Sequence, residues 1–294
     1  MLRHSISGAL SLLIAATFIP AASSARQTGP PRLSPAATVT QMIGVSEVSI
    51  SYSRPSVKER SLWDNLVPLD HVWRTGANEA TTISFSDDAK VEGRDLPAGK
   101  YSLFTIPGQG EWTIVFNRIS DQWGASQYNP SHDALRVRAQ PRQAVHQETF
   151  QISFTDVGTD TAIISLHWGT VVVPFAVQFD VRRITLDRAR EFVDNAGPED
   201  GREVWSWANY FYQNDYNLDQ ALSWATTLAE TTPVYWTHAL HARLLARSGD
   251  TGAALSAAAL ALERSQHEVD QPGVSVDTQV LRNEMEEWKT NSDR

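Results

Sequence analysis

The strongest constraint on the fold is a two-residue alternation of apolar and polar side chains that recurs between residues 38 and 181. The alternating runs are short and are separated by Gly, Pro, Asn and Asp, as in strands joined by turns. Residues 38–43 and 47–52 flank a turn at Gly44, and residues 100–117 predict a second β-hairpin. Eight or nine such strands predict an antiparallel β-sandwich, with a β-barrel as the alternative.

The periodicity becomes helical near Leu186. Two passages then repeat with a shift of 33 residues, so that Ala221 corresponds to Ala254. A period of about 34 residues is typical of tetratricopeptide helical hairpins. We therefore expect an α+β chain, in which a sandwich over residues 38–184 precedes a small all-α, tetratricopeptide-like region over residues 185–294.

The N-terminus has the pattern of a secretory signal peptide over residues 1–25. Arg3 precedes an apolar run over residues 6–20, and small residues then lead to Ala25. We expect cleavage near Ala25, an extended lead-in over residues 26–37, and a periplasmic or secreted mature protein. The alternative is a retained N-terminal anchor. No later apolar run approaches the roughly 20 residues of a membrane-spanning helix, so we expect no integral membrane segment after cleavage.

Composition excludes several kinds of site. The chain has no cysteine, which rules out disulfides, thiolate catalysis and cysteine-ligated metals. Residues 187–294 carry 18 acidic and 9 basic residues, whereas residues 26–186 are close to neutral. An acidic surface repels phosphate backbones and anionic lipids, so we expect no nucleic-acid partner.

The segment 72–82 holds an indole, a guanidinium, a carboxamide and a carboxylate around one glycine, directly before a predicted strand. Loops held by a rigid scaffold often carry function, and this density of polar groups exceeds what packing requires. Arginine offers a planar donor fork for carboxylate or phosphate, and an indole offers a stacking face for a sugar ring or a cation. The candidate ligand-binding residues are Arg54, Trp73, Arg74, Asn78, Glu79 and Trp123.

A structural interpretation of the same residues remains open. Arg74 and Glu79 would then form an internal ion pair, Asn78 would satisfy turn amides, and Trp73 and Trp123 would fill the core.

Catalytic and metal-binding signatures are missing from the sequence. There is no Gly-x-Ser-x-Gly elbow, no phosphate-binding glycine loop and no His-x-His or His-Glu-x-x-His spacing, so we expect no metal and no cofactor. The leading hypothesis is a non-catalytic module for a polar small molecule or glycan, with a protein or peptide bound by the helical region. The alternative is a hydrolase of an envelope or extracellular polymer, with Glu79 as acid or base and Arg74 tuning it.

Several motifs occur in an order that resembles DUF2911, an exported bacterial family of unknown function. They span residues 52–56, 66–68, 72–82, 96–103, 106–107, 112–114, 116–117 and 122–124. The resemblance covers about residues 33–181. It implies a secreted β-rich domain, sometimes followed by tetratricopeptide-like helices, and no established reaction.

Overall fold

The computed structural model describes residues 30–63, 65–268 and 278–292, so the predicted signal peptide and the first residues of the lead-in lie outside it. The described residues form two antiparallel sheets, ordered β1-β2-β3-β6-β7-β8 and β5-β4-β10-β9. Their strands are β1 Ala36–Ile43, β2 Ser46–Ser53, β3 Thr82–Phe85, β4 Ala89–Val91, β5 Arg94–Leu96, β6 Gly99–Ile106, β7 Trp112–Asn117, β8 Asp133–Ala139, β9 Arg142–Thr155 and β10 Thr161–Phe179.

The core lies between the two sheets. On β2, Val48 and Ile50 are fully buried, while the intervening Ser49 lies on the opposite, more exposed face. Phe116 of the first sheet contacts Phe175 of the second, with ring centroids 6.3 Å apart. A single buried face in strands such as β2 and β8 is the cause of the alternation in the sequence, whereas β7 is buried on both faces. The predicted antiparallel sandwich is confirmed.

The last part of the sandwich differs from prediction. The alternation over residues 161–168 and 171–181 predicts two separate strands, but the structure forms the single 19-residue strand β10, Thr161–Phe179. Its pairing with β9 shifts register on both sides of Gly169, which has φ +58°. A β-carbon at Gly169 would stand 2.8 Å from Leu62 Cδ1. The glycine therefore permits a bulge and close packing inside one continuous strand, where two strands are predicted.

Four tryptophans, Trp63, Trp73, Trp112 and Trp168, meet at one end of the sandwich. The rings of Trp73 and Trp168 are stacked, with centroids 5.7 Å apart and planes 14° apart. Phe150 of β9 packs edge-on against Trp73 at 5.3 Å. This cluster joins side chains from both sheets and fills the core with large, rigid rings.

Six helices follow among the described residues. They are α1 Val181–Asn195, α2 Gly201–Asn214, α3 Leu218–Thr231, α4 Tyr235–Arg247, α5 Thr251–Glu268 and α6 Gln279–Ser292. The first begins at Val181, before the predicted change of pattern, because the Asp180 side chain accepts a hydrogen bond from Arg183 N and caps it. Arg188 fastens α1 to the sandwich by donating to Val45 O and to the Asp87 carboxylate.

None of the helices in the described ranges is both long and apolar enough to cross a membrane.

Two histidines on α4 are enclosed by the neighbouring helices. His238 is buried, and His241 Nε2 lies 3.2 Å from Thr226 Oγ1 of α3. Burial lowers the pKa of both, and the positive charge of Arg264 on α5 lowers that of His238 further. Glu230 on α3 acts in the opposite direction on His241, without reversing the effect of burial. Both rings are therefore held in their neutral form.

The chain should lose stability as the pH falls below about 6.5, the ordinary histidine pKa. Below that pH the two histidines bind protons in the unfolded state but not in the folded state, because their pKa values are lower in the folded state. Their contribution to the free energy of unfolding is therefore complete only above about pH 6.5. Thermal unfolding at several pH values between about 7.5 and 5.5 measures the slope of stability against pH. Replacing both residues with glutamine should flatten it, whereas His71→Gln, at an exposed position, should not. An unchanged slope in the double variant contradicts this account.

Candidate functional site

The segment before β3 is anchored by backbone pairing. Trp73 N donates to Thr105 O at 2.8 Å, and Thr105 N donates to Trp73 O at 2.9 Å, so the segment forms a bridge with β6. The chain then turns sharply through Thr75, Gly76 and Asn78, all with positive φ. Thr81 Oγ1 closes the turn by donating to Thr75 O at 2.6 Å. These contacts explain the conformation of a segment whose residues favour neither helix nor strand.

Trp73 has a structural role. It is 9% exposed, stacks on Trp168, and its Nε1 donates to Gly76 O at 3.1 Å. Through this hydrogen bond the indole stabilises the turn. Its position agrees with the packing alternative considered for this residue.

Asn78 and Arg54 also make contacts within the protein. Asn78 Nδ2 donates to Ser34 O and to Ser53 Oγ, both at 3.1 Å, which fastens the lead-in and β2 to the turn. Arg54 Nε donates to Phe150 O at 2.9 Å and so links the first sheet to β9.

Glu79 is exposed and pairs with a residue that the sequence interpretation did not consider. Arg32 Nη1 donates to both carboxylate oxygens, at 2.7 and 2.8 Å. The Arg74–Glu79 ion pair of the structural interpretation does not form. Desolvation acts to raise the pKa of Glu79, but the Arg32 hydrogen bond and a backbone hydrogen bond outweigh it and place the pKa below its ordinary value. Glu79 is therefore a fixed anion.

Arg74 is half-buried and lacks acceptors. Its Nε is enclosed, and no described residue accepts a hydrogen bond from it. The guanidinium lies beside Gly124, where a β-carbon would stand 3.9 Å from Nη1. Desolvation lowers the pKa of Arg74, yet an arginine remains charged at neutral pH. A half-buried cation without an acceptor can bind an anion.

Trp123 is 62% exposed, which is unusual for a tryptophan. It faces Glu79 across an isolated antiparallel bridge. Ala80 N donates to Gln122 O at 3.0 Å, and Gly124 N donates to Asn78 O at 3.2 Å. Residues opposite each other in an antiparallel pair project to the same side, so the indole and the carboxylate share one face. We call Arg32, Arg74, Glu79 and Trp123 together the Trp123 surface.

The loop that carries Trp123 is held by a buried polar network. Gln122 Nε2 donates to Ile119 O at 2.6 Å and to Asn117 Oδ1 at 3.2 Å. Asn117 Nδ2 donates to Asp133 Oδ1 at 2.8 Å. These hydrogen bonds fix the position of the loop that carries Trp123.

Of the six predicted residues, Glu79 and Trp123 face each other across the bridge and the Arg74 guanidinium lies beside Gly124, whereas the other three make contacts within the protein. Sequence reasoning missed Arg32, and nothing in the Pro-rich lead-in points to it. The Gln122-Trp123-Gly124 motif does mark the supporting loop. Across the described ranges, no three His, Asp or Glu side chains come together in a group that could hold a metal ion.

Gly76→Ala should destabilise the protein by more than Gly93→Ala. Gly76 has φ +148°, and an added β-carbon would stand 2.8 Å from Ser53 O, a backbone atom. Gly93 also has positive φ, +75°, but nothing lies within 4 Å of its added β-carbon. Both variants cost backbone strain of about 1–3 kcal/mol, and Gly76→Ala adds a steric clash. Urea unfolding measures the difference, and equal losses would contradict the close packing of the turn on β2.

Comparison with known proteins matches one region of the chain to a protein family. No curated protein and no solved structure matches the chain. The predicted family resemblance is confirmed over most of its extent. Residues 34–177, which hold nearly all of both sheets together with Arg74, Glu79 and Trp123, match the model of the family described as protein of unknown function, DUF2911.

Proposed function

We propose that the sandwich is a non-catalytic binding module and that the Trp123 surface binds an acidic glycan. The observation that carries the proposal is an exposed indole on a fixed loop, opposite Glu79 across a backbone bridge, with the Arg74 guanidinium beside the next residue, Gly124.

The exposed indole supports stacking on a ring. Trp123 leaves most of its apolar face in water although its backbone is hydrogen-bonded on both sides. An aromatic face in a fixed position binds a flat, weakly polar partner with little loss of conformational entropy. A pyranose ring offers such a face through its axial C–H groups, and its hydroxyls reach polar neighbours.

The charges beside the indole support an acidic sugar. Arg74 Nε has no acceptor among the described residues, and a guanidinium fork matches a carboxylate. Arg32 and Glu79 neutralise each other at the rim and can donate to and accept from hydroxyls. A uronic acid residue combines the ring and the carboxylate that these groups select.

The ionisation of Glu79 favours binding over hydrolysis. A general acid in glycoside hydrolysis needs a carboxyl with a raised pKa that is protonated near neutral pH. Both oxygens of Glu79 bind Arg32, and the pKa of Glu79 is below its ordinary value. Glu79 is therefore unsuited to the acid role in the polymer-hydrolase hypothesis.

We also propose that the mature protein is exported and that α2 to α5 form two tetratricopeptide-like hairpins that bind a protein. The signal-peptide pattern of residues 1–25 supports export. Residues 33 positions apart support the repeat, because Ala221 and Ala254 are both fully buried, as are their neighbours Ala225 and Ala258. Small residues at equivalent positions let paired helices pack closely.

Isothermal titration of the mature protein with hexagalacturonate, and with neutral maltohexaose for comparison, tests the glycan proposal. The acidic hexamer should bind more tightly. Trp123→Ala and Arg74→Gln should each weaken its binding by about tenfold or more, the effect of losing an aromatic anchor or a charge-assisted hydrogen bond. Trp123→Phe, which keeps an aromatic face, should retain most of the affinity.

Two exposed positions outside this surface serve as controls. Arg190→Gln on α1 and Val145→Ala on β9 should leave the binding of hexagalacturonate unchanged. Wild-type protein that does not bind the acidic hexamer, or that binds both hexamers equally, would overturn the proposal. An equal loss of affinity in a control variant would do the same.

A further inference from the structure

A cavity of about 960 Å³ opens between the sandwich and the helices. The second sheet supplies one wall through β4, β5 and the two ends of β10, and the starts of α1 and the last turn of α2 supply the other. Cavities of this size at the junction of two structural units are a common location for ligand sites. None of the residues of the Trp123 surface lines it.

Some of the charged groups in the lining already have partners. Lys90 pairs with Asp95 on the sandwich wall. Arg183 pairs with Asp180 and Asp187 at the start of α1. Lys90 and Asp95 neutralise each other, whereas Arg183 and its two aspartates keep one net negative charge.

Three other charged side chains of the lining form no ion pair with any described residue. Asp88 and Asp160 stand on the sandwich wall, and Arg182 stands on the helical wall. Asp88 accepts a hydrogen bond from Ala98 N at 2.8 Å, and Asp160 accepts one from Gln178 Nε2 at 3.4 Å. Each carboxylate therefore keeps lone pairs for a ligand. The cavity presents unpaired anions on one wall and an unpaired cation on the other.

The Arg182 guanidinium on the helical wall is oriented by an aromatic ring. The Arg182 guanidinium lies over the ring of Tyr216, 5.1 Å from the ring centroid. A cation stacked on an aromatic face loses less freedom when it binds a carboxylate. Tyr210 packs edge-on against the ring of Tyr216, with ring centroids 6.1 Å apart.

We propose that this cavity binds a short peptide with free termini, its carboxylate on Arg182 and its ammonium group on Asp160 or Asp88. A zwitterion satisfies both walls at once, whereas a simple anion or cation would leave one wall unpaired. The peptide would bridge the sandwich and the helices and so stabilise their arrangement. This inference is independent of the glycan proposal, because the two sites share no residue.

Isothermal titration of the full mature chain with tri-alanine, N-acetyl-tri-alanine and tri-alanine amide tests the proposal. Unmodified tri-alanine should bind, and blocking either terminus should weaken binding by about tenfold or more, as expected for a lost charge-assisted hydrogen bond. Failure of tri-alanine to bind, or equal binding of all three peptides, would overturn the proposal.

Variants assign each terminus to a wall. Arg182→Gln should bind tri-alanine and its amide equally, while it still discriminates against the N-acetylated form. Asp160→Asn, or Asp88→Asn if Asp88 is the partner, should show the opposite pattern. Arg190→Gln on the same helix, and Trp123→Ala, should behave as wild type. A variant series in which no substitution changes the discrimination would refute the assignment.

Discussion

The structure of the N-terminal domain depends on how Trp73 is held. Its ring stacks on Trp168 of the opposite sheet, and its backbone pairs with Thr105 of β6. Because this residue is fixed in the core, the chain that follows must reverse direction within a few residues. It does so through backbone conformations that only glycine and a few polar residues adopt easily. Arg74 and Glu79 then emerge beside the loop that displays Trp123.

Most of the fold could be predicted from the sequence. Strands such as β2 and β8 bury one face, so their alternation is visible without knowledge of any partner, whereas β7 is buried on both faces. The bulge at Gly169 could not be predicted, because a glycine with positive φ is equally compatible with a turn. Only the pairing of β10 with β9 distinguishes the two.

The site could be predicted in part. Its residue types and its location before β3 are apparent from the sequence, but its contacts depend on tertiary structure. Glu79 binds Arg32, which lies 47 positions away in a lead-in without a recognisable pattern. Trp73 and Trp123 are the same residue type in two neighbouring motifs, yet one is buried and the other is mostly exposed. Residue identity cannot separate an anchor from a binding group.

Two surfaces of different character follow from this arrangement. The Trp123 surface is an aromatic face with a guanidinium that lacks acceptors. The cavity between the sandwich and the helices has unpaired carboxylates on one wall and an unpaired guanidinium on the other. Arg188 joins α1 to the sandwich through hydrogen bonds to Val45 O and to the Asp87 carboxylate.

Trp73 should therefore support the domain, whereas Trp123 should be free to bind a ligand. The free energies of unfolding of Trp73→Ala and Trp123→Ala, measured in urea, test this expectation most directly. Loss of a buried tryptophan should cost about 3–5 kcal/mol, whereas truncation at an exposed position should change stability by no more than about 0.5 kcal/mol. Equal losses for the two variants, or a greater loss for Trp123→Ala, would contradict it.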